Sequence, residues 1–238
     1  MKSFLSIAIS PGGTGSYYYN SYFEHLNVDA TYEAVQCSSL SEKITELRKA
    51  NIAGVSVSMP FKKEIINYLD EIDESVDTAG SCNTVKIVDG NWIGYNTDIK
   101  GVEWALRELP ARGRVQILGD GSMSNLFQRR LDAEGRPYKV FSRRAGNWSQ
   151  RHGLQEIVIN TTALGTFDAT SPLEEISGVR CVVDLSLNLG DLNAKCWKNN
   201  VDYVSGLDFY KQVFLKQFHV YTGLNADPEI FDHLTKIR

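Results

Sequence analysis

The stretch from Arg114 to Ser142 restricts the fold more than any other. A β-rich run, Arg114 to Leu118, ends in Gly119-Asp120-Gly121-Ser122; a helical pattern follows from Ser122 to Ala133, and a second β-like run covers Tyr138 to Ser142. Strand, glycine turn, helix and strand in this order open a doubly wound parallel sheet of the nucleotide-binding type. Further strands are expected at Glu156 to Thr161, Arg180 to Leu185 and Val201 to Val204. Between the second and third strands only Arg144 to Gln155 remain, fewer than a crossover helix usually takes, so that unit is abbreviated.

Residues 1 to about 100 carry a different α/β pattern. Strands are expected at Phe4 to Ser10, Ala30 to Gln36, Gly54 to Ser58, Thr84 to Val88 and Trp92 to Tyr95, with helices at Tyr18 to Leu26, Leu40 to Ala50 and Lys62 to Leu69. Ser39-x-x-Glu42 fits a capping box, and Asp89-Gly90-Asn91 a hairpin turn that gives a mostly parallel sheet an antiparallel edge. A helix over Ile99 to Glu108 bridges to the second domain, and Phe209 to Tyr221 and Pro228 to Lys236 read as two closing helices.

The 238 residues suffice for two compact domains, and 42% hydrophobic content excludes disorder. A net charge of −4 offers no basic field for nucleic acid or an anionic membrane surface. No apolar run approaches the roughly 18–20 residues of a membrane span. The opening Met1 to Ser10 reads as a first strand, with a truncated secretory signal as the alternative. Cys37, Cys82, Cys181 and Cys196 are scattered, without metal-ligand spacing, which points to a reduced, cytoplasmic protein without structural zinc. Each cysteine reads first as a small buried hydrophobe, though Cys82 could line a cleft. His25, His152, His219 and His233 lack a paired ligand or nucleophile, and Tyr17-Tyr18-Tyr19 reads as partly core, with a stacking platform as the alternative.

Lys62 and Asp98 are the residues most suited to chemistry. Pro60 fits the first position of a helix, which sets Lys62 in the first helical turn. The helix dipole disfavours a cation there by roughly 0.3–1 kcal/mol, which suits a group that gives and takes a proton. The plainer readings are a solvated lysine and an aspartate that caps the next helix.

Val-Ser-Met-Pro-Phe-Lys ending at Lys62, Ser-Cys-Asn-Thr-Val around Asn83 and Gly-Tyr-Asn-Thr-Asp ending at Asp98 follow one another as they do in shikimate dehydrogenases. The turn at Gly119, Ile-Asn-Thr-Thr-Ala-Leu-Gly from Ile159 and Phe-His-Val-Tyr-Thr-Gly from Phe218 extend the likeness, so the chain resembles that family over nearly its whole length. The resemblance implies an N-terminal substrate domain over residues 1–100, a Rossmann-like NADP-binding domain over 101–206, and helices within 207–238 returning to the first. It also implies that Lys62 transfers a proton and Asp98 orients it, on either side of a small-molecule cleft. Lys63 leaves room for a shift of one residue.

Asn83 matches a substrate-contacting asparagine of the family, and Ser56 and Ser58 stand where the family usually has asparagine and threonine. Thr14 and Ser16, within Gly13-Thr14-Gly15-Ser16, replace the serines that hold the substrate carboxylate; a plain glycine turn is the alternative. A family tyrosine is missing at Asp184-Leu185-Ser186-Leu187-Asn188, and a substrate-binding glutamine aligns with Val213. These departures imply a small hydroxy acid related to shikimate, or weaker action on shikimate itself. For the cofactor, Gly119, Gly121, Ser122 and Met123 would meet the pyrophosphate, with Asp120 and Ser122 departing from the family pattern and a serine-capped turn as the plainer reading. Ser142, Arg143 and Arg144 would meet the ribose and favour NADP over NAD, because arginines pair with a 2′-phosphate. Asn160, Thr161 and Thr162 would line the nicotinamide side. A binding or regulatory protein that has lost turnover is the competing expectation.

Overall fold

The fold is that of a computed structural model, which describes residues 1–153, 155–165 and 170–237. Arg238, the last residue of the chain, lies outside them. The chain divides into two compact units, one of residues 1–97 with 214–238 and the other of residues 98–213.

The first unit is built on a six-stranded sheet. Its strands are β1 (Lys2–Ala8), β2 (Ala30–Gln36), β3 (Gly54–Val57), β4 (Glu71–Ile72), β5 (Thr84–Val88) and β6 (Asn91–Tyr95), in the order β2-β1-β3-β5-β6-β4. β1 runs parallel to β2 and β3, whereas β5 is antiparallel to both β3 and β6. Asp89 and Gly90, both at positive φ, close the β5–β6 hairpin, as Asp-Gly permits in a two-residue turn. The hairpin is not the edge that the sequence suggests: the two-residue β4 pairs in parallel outside it.

One face of this sheet is aromatic. Helix α1 (Thr14–His25) buries Tyr18, Tyr19, Tyr22 and Phe23. The Tyr19 ring stacks on Tyr32 at 4.2 Å, and the Tyr18 ring stacks at 4.1 Å on Phe231 of the last helix, α8 (Pro228–Ile237). Phe214 and Phe218 of the preceding helix, α7 (Gly206–Thr222), complete the cluster. The opposite face packs Leu40, Ile44 and Leu47 of α2 (Leu40–Leu47) on Val55, Val85 and Trp92, with Cys82 in the same core. Ser39 caps α2 by accepting the Glu42 N–H. A short helix α3 (Glu74–Ala79), capped by Asp73 and ended by Gly80 in the left-handed region, follows β4.

Phe61 to Leu69 corrects one expectation. Pro60 does not open an α-helix: the Met59–Pro60 peptide is cis, turns follow, and Glu64–Tyr68 forms only a short 3₁₀ helix. The Lys62 carbonyl, which would accept an N–H four residues on, instead accepts the Cys82 N–H at 2.7 Å. The Lys62 backbone is therefore held by a bond to a residue twenty positions on rather than by a helix.

In the second unit, α4 (Asp98–Glu108) precedes a five-stranded parallel sheet of β7 (Val115–Leu118), β8 (Tyr138–Phe141), β9 (Ile157–Asn160), β10 (Cys181–Asp184) and β11 (Asp202–Val204). The order is β11-β10-β9-β7-β8. Helix α5 (Ser122–Ala133) joins β7 to β8, and α6 (Asp191–Lys198) joins β10 to β11. Among the described residues of the β8–β9 connection the one helical element is the 3₁₀ turn Trp148–His152, and β8 is a terminal strand of the sheet. The chain steps from β7 to β8 on one side and to β9 on the other, which makes the carboxyl ends of these strands a topological switch point.

Candidate functional site

In the first unit, topology gathers the substrate-side residues at one end of the sheet. Ser56 pairs with Thr84, which pairs with Tyr95, so the end of β3, the start of β5 and the end of β6 share an edge. Ser58 is exposed there, just past β3, and Lys62 is half-buried in the turn that follows. Asn83 is buried and ties the neighbouring segments together. Its Oδ1 accepts the Thr97 N–H at 2.9 Å and the Thr84 hydroxyl at 2.7 Å, and its Nδ2 donates to Thr97 Oγ1 at 3.0 Å. The next residue is Asp98, buried, which opens α4 at the helix end where a negative charge is favoured. Lys62 and Asp98 are thus each anchored through a backbone group: the first to Cys82, the second through Thr97 to Asn83.

Ser56 is committed to the interior. Its Oγ lies 2.6 Å from the Tyr32 hydroxyl, which donates to it, and 2.8 Å from the Tyr221 hydroxyl, and it donates to Gln217 Oε1 at 3.1 Å. Tyr19 also donates to Gln217 Oε1, at 2.7 Å, while Gln217 Nε2 donates to Thr84 Oγ1 and to the Asn83 carbonyl. Burial pushes the Tyr32 phenol up to about 12, against the pull of its bonds to Ser56 and Ser6, so it stays a donor across the neutral range. An added Cβ on Gly54 would lie 2.7 Å from the Tyr221 ring and 2.9 Å from the Val85 carbonyl, so only glycine allows that ring to reach Ser56. The shortening from asparagine to Ser56 is filled from behind by two phenols and an amide. Gln217 has one signal in the sequence: it lies four residues, one helical turn, beyond Val213 on the same face of α7.

Thr14 and Ser16 do not sit in a glycine loop. They occupy the first turn of α1, which starts four residues earlier than its periodicity suggests, after Gly13. Tyr18, Tyr19 and Tyr22 explain the extension, because their burial holds the helix down where glycine propensity would fray it. The Thr14 and Ser16 side chains are half-buried at the positive end of a helix dipole, a setting that still suits a carboxylate.

In the second unit, the residues proposed for the dinucleotide lie at the carboxyl ends of three adjacent strands: Gly119 to Met123 after β7, Ser142 to Arg144 after β8, and Asn160 to Thr162 at β9. Gly119 adopts φ +106, and a Cβ there would lie 2.7 Å from Thr161 Oγ1. At Gly121 a Cβ would meet nothing within 4 Å, and Ser122 Oγ is buried with no hydrogen-bond partner among the described residues. Open backbone and an unsatisfied hydroxyl at the start of a 12-residue helix fit a bound phosphate group. Gly119→Ala is expected to cost about 1–3 kcal/mol of stability because of its backbone conformation, whereas Gly121→Ala should leave stability unchanged. Urea unfolding of the two variants distinguishes them; equal losses would overturn the contrast.

Two of the proposed cofactor residues serve the protein first. Ser142 is buried; its Oγ accepts the Ala145 N–H at 3.0 Å and its N–H donates to Asn147 Oδ1 at 2.9 Å, which shapes the loop carrying Arg143 and Arg144. Asn160 donates to Asp184 Oδ1 at 2.9 Å and accepts the Thr162 N–H and hydroxyl, locking β9 to β10. Asp184 also accepts the Tyr203 hydroxyl at 3.0 Å. Burial raises the Asp184 carboxyl above its ordinary value even against these bonds, and burial together with Asp184 raises Tyr203. The native state therefore holds the Asp184 proton more tightly than the unfolded chain does. The resulting stability is complete below the ordinary carboxylate value of about 3.9 and is lost as pH rises through the higher native value. Asp184→Asn should flatten that decline in unfolding curves recorded from pH 4 to 7; parallel slopes would assign it to another group.

Among the described residues no cluster of histidine, cysteine, aspartate or glutamate could hold a metal ion, and no helix is long and apolar enough to cross a membrane.

Residues 13–85 match the family model described as the shikimate dehydrogenase substrate binding domain. A protein of Oceanobacillus iheyensis named shikimate dehydrogenase (NADP(+)) is 36% identical over 129 residues, 49% of this chain and 46% of that protein. One of Methanococcus maripaludis with the same name is 30% identical over 242 residues, 88% of this chain and 87% of that protein. Among solved structures, shikimate 5-dehydrogenase of Thermus thermophilus, in complex with NADP(H) and shikimate, superimposes with a TM-score of 0.86 at 22% identity, covering 100% of this chain and 99% of that one. With likeness sustained from the first sheet to the last helix, the chain belongs to the shikimate dehydrogenase family.

Proposed function

We propose that this protein is an oxidoreductase that interconverts a ring hydroxyl and a ketone on a small carboxylated substrate related to shikimate, with NADP. The observation that supports it best is the anchoring of Lys62 and Asp98 by neighbouring segments, through Cys82 and through Asn83–Thr97. The dinucleotide supplies the hydride chemistry. Lys62 takes the hydroxyl proton on its Nζ in the oxidative direction and returns it in the reverse. Asp98 orients the ammonium and balances its charge. Ser58 and Asn83 are assigned to the substrate hydroxyls, and Thr14 and Ser16 with the first turn of α1 to its carboxylate. Ser56, turned toward Tyr32 and Gln217, supports that surface from beneath. Gly121, Ser122 and Met123 would take the pyrophosphate, Arg143 and Arg144 the 2′-phosphate, and Thr161 and Thr162, held by Asn160, the nicotinamide side.

The assay is NADPH formation by the purified chain over shikimate, quinate and aminated analogues. Turnover of at least one with NADP supports the proposal, and none would sink it. A second function, ligand binding without turnover, is favoured by Asp120 and Ser122 in the turn and by the short β8–β9 connection. Calorimetric titration separates the two: micromolar NADP binding rejects the second, and substrate binding with no dinucleotide binding supports it.

A further inference from the structure

Asp120 stands inside the turn that would receive phosphate groups, where a carboxylate repels them. Its Oδ2 lies 3.5 Å from Arg144 Nε, with the Asp120 side chain 33% exposed and that of Arg144 82% exposed. The pair spans the carboxyl ends of β7 and β8, where the adenosine ribose is held in doubly wound folds. Arg143 leans elsewhere, its guanidinium carbon 5.9 Å from the centre of the Trp148 ring. Ser142, at the end of β8 where an acidic residue would accept from an unphosphorylated ribose, is buried in its own loop. Asp120 is thus paired with the guanidinium expected to read a 2′-phosphate.

The two forms of the dinucleotide make opposite demands on this pair. A 2′-phosphate must share the Arg144 guanidinium with Asp120 or displace it, and in either case lies beside a like charge. A 2′-hydroxyl can donate to the carboxylate directly and leaves the pair intact. We propose, on the dinucleotide-binding function above, that Asp120 is a specificity-determining residue that restrains Arg144 and so narrows the preference for NADP over NAD. The pair is exposed, so its effect is that of one screened charge rather than of a buried one.

The test is calorimetric titration of the full chain with NADP and with NAD, for the wild type, Asp120→Asn, Arg144→Ala and the double variant. Asp120→Asn is expected to tighten NADP by about 3- to 5-fold without tightening NAD, as removal of one screened like charge allows. Arg144→Ala should weaken NADP alone, and in the double variant the gain from Asp120→Asn should shrink, since the two residues act through each other. An NAD-to-NADP ratio within twofold of wild type in Asp120→Asn would overturn the inference while leaving the proposed function standing. Full tightening in the double variant would also overturn it, because Asp120 would then act without Arg144. If the wild type binds neither dinucleotide, both the inference and the proposed function fail.

Discussion

Replacing Lys62 with alanine is expected to lower kcat by about 10²- to 10⁴-fold, the usual share of a positioned acid–base group, with little change in dinucleotide affinity. The group lost is the proton carrier at the substrate, and the side chain is remote in sequence from the Gly119–Met123 turn. Asp98→Asn should also lower kcat, because the amide retains shape but not charge. Lys63→Ala is the control for register and should behave like the wild type. Steady-state assays beside NADP titrations decide the matter: undiminished turnover in Lys62→Ala, or equal losses in Lys62→Ala and Lys63→Ala, would remove Lys62 from its role. A fall in kcat/KM caused by KM alone would make Lys62 a substrate-binding group instead.

The second large effect is expected at Gln217. Its amide accepts from Tyr19 and Ser56 and donates to Thr84 and the Asn83 carbonyl, all in the interior of the first unit. Gln217→Leu removes these partners without removing the groups they satisfy. Each buried hydroxyl or carbonyl left without a partner costs roughly 1–3 kcal/mol, and relaxation of the phenols recovers part of it. A net loss of about 2–5 kcal/mol is expected, read as a lower urea midpoint with unchanged m. Gln217→Glu should be at least as damaging, since a carboxylate cannot donate to Thr84 and would be buried beside phenol oxygens. A loss below about 1 kcal/mol in both variants would mean that water reaches this network.

The sequence pattern and the structure agree where local chemistry decides the outcome. Helix α5 spans Ser122–Ala133 as its pattern predicts, Ser39 caps α2, and Asp89-Gly90 turns the hairpin. They part where distant pairing decides. β4 has two residues and exists because Glu71 and Ile72 meet Ile93 and Gly94. The helix expected at Phe61 to Leu69 shrinks because Cys82, twenty residues beyond Lys62, takes the Lys62 carbonyl. For the candidate site, the family motifs point to Lys62, Asn83 and Asp98, and the structure adds how each segment is held. Tyr32 has no local signature on its strand, and Gln217 has only its one-turn spacing from Val213; their partners, up to 198 residues away in the case of Gln217 and Tyr19, give them meaning. The same holds for Asp120, whose pairing with Arg144 depends on β7 and β8 lying side by side.

The aromatic face of the first sheet also bears on the order in which the chain matures. Tyr17 donates to the Leu234 carbonyl, and Tyr18 shares a hydrogen bond with Thr235, each across 217 residues of sequence. Residues 98–213 are contiguous and can fold as soon as they leave the ribosome. The first unit, although begun first, cannot cover Tyr18 and Tyr22 until α7 and α8 have been made. During synthesis its tyrosines form a waiting apolar surface, so the first unit is the last to be finished.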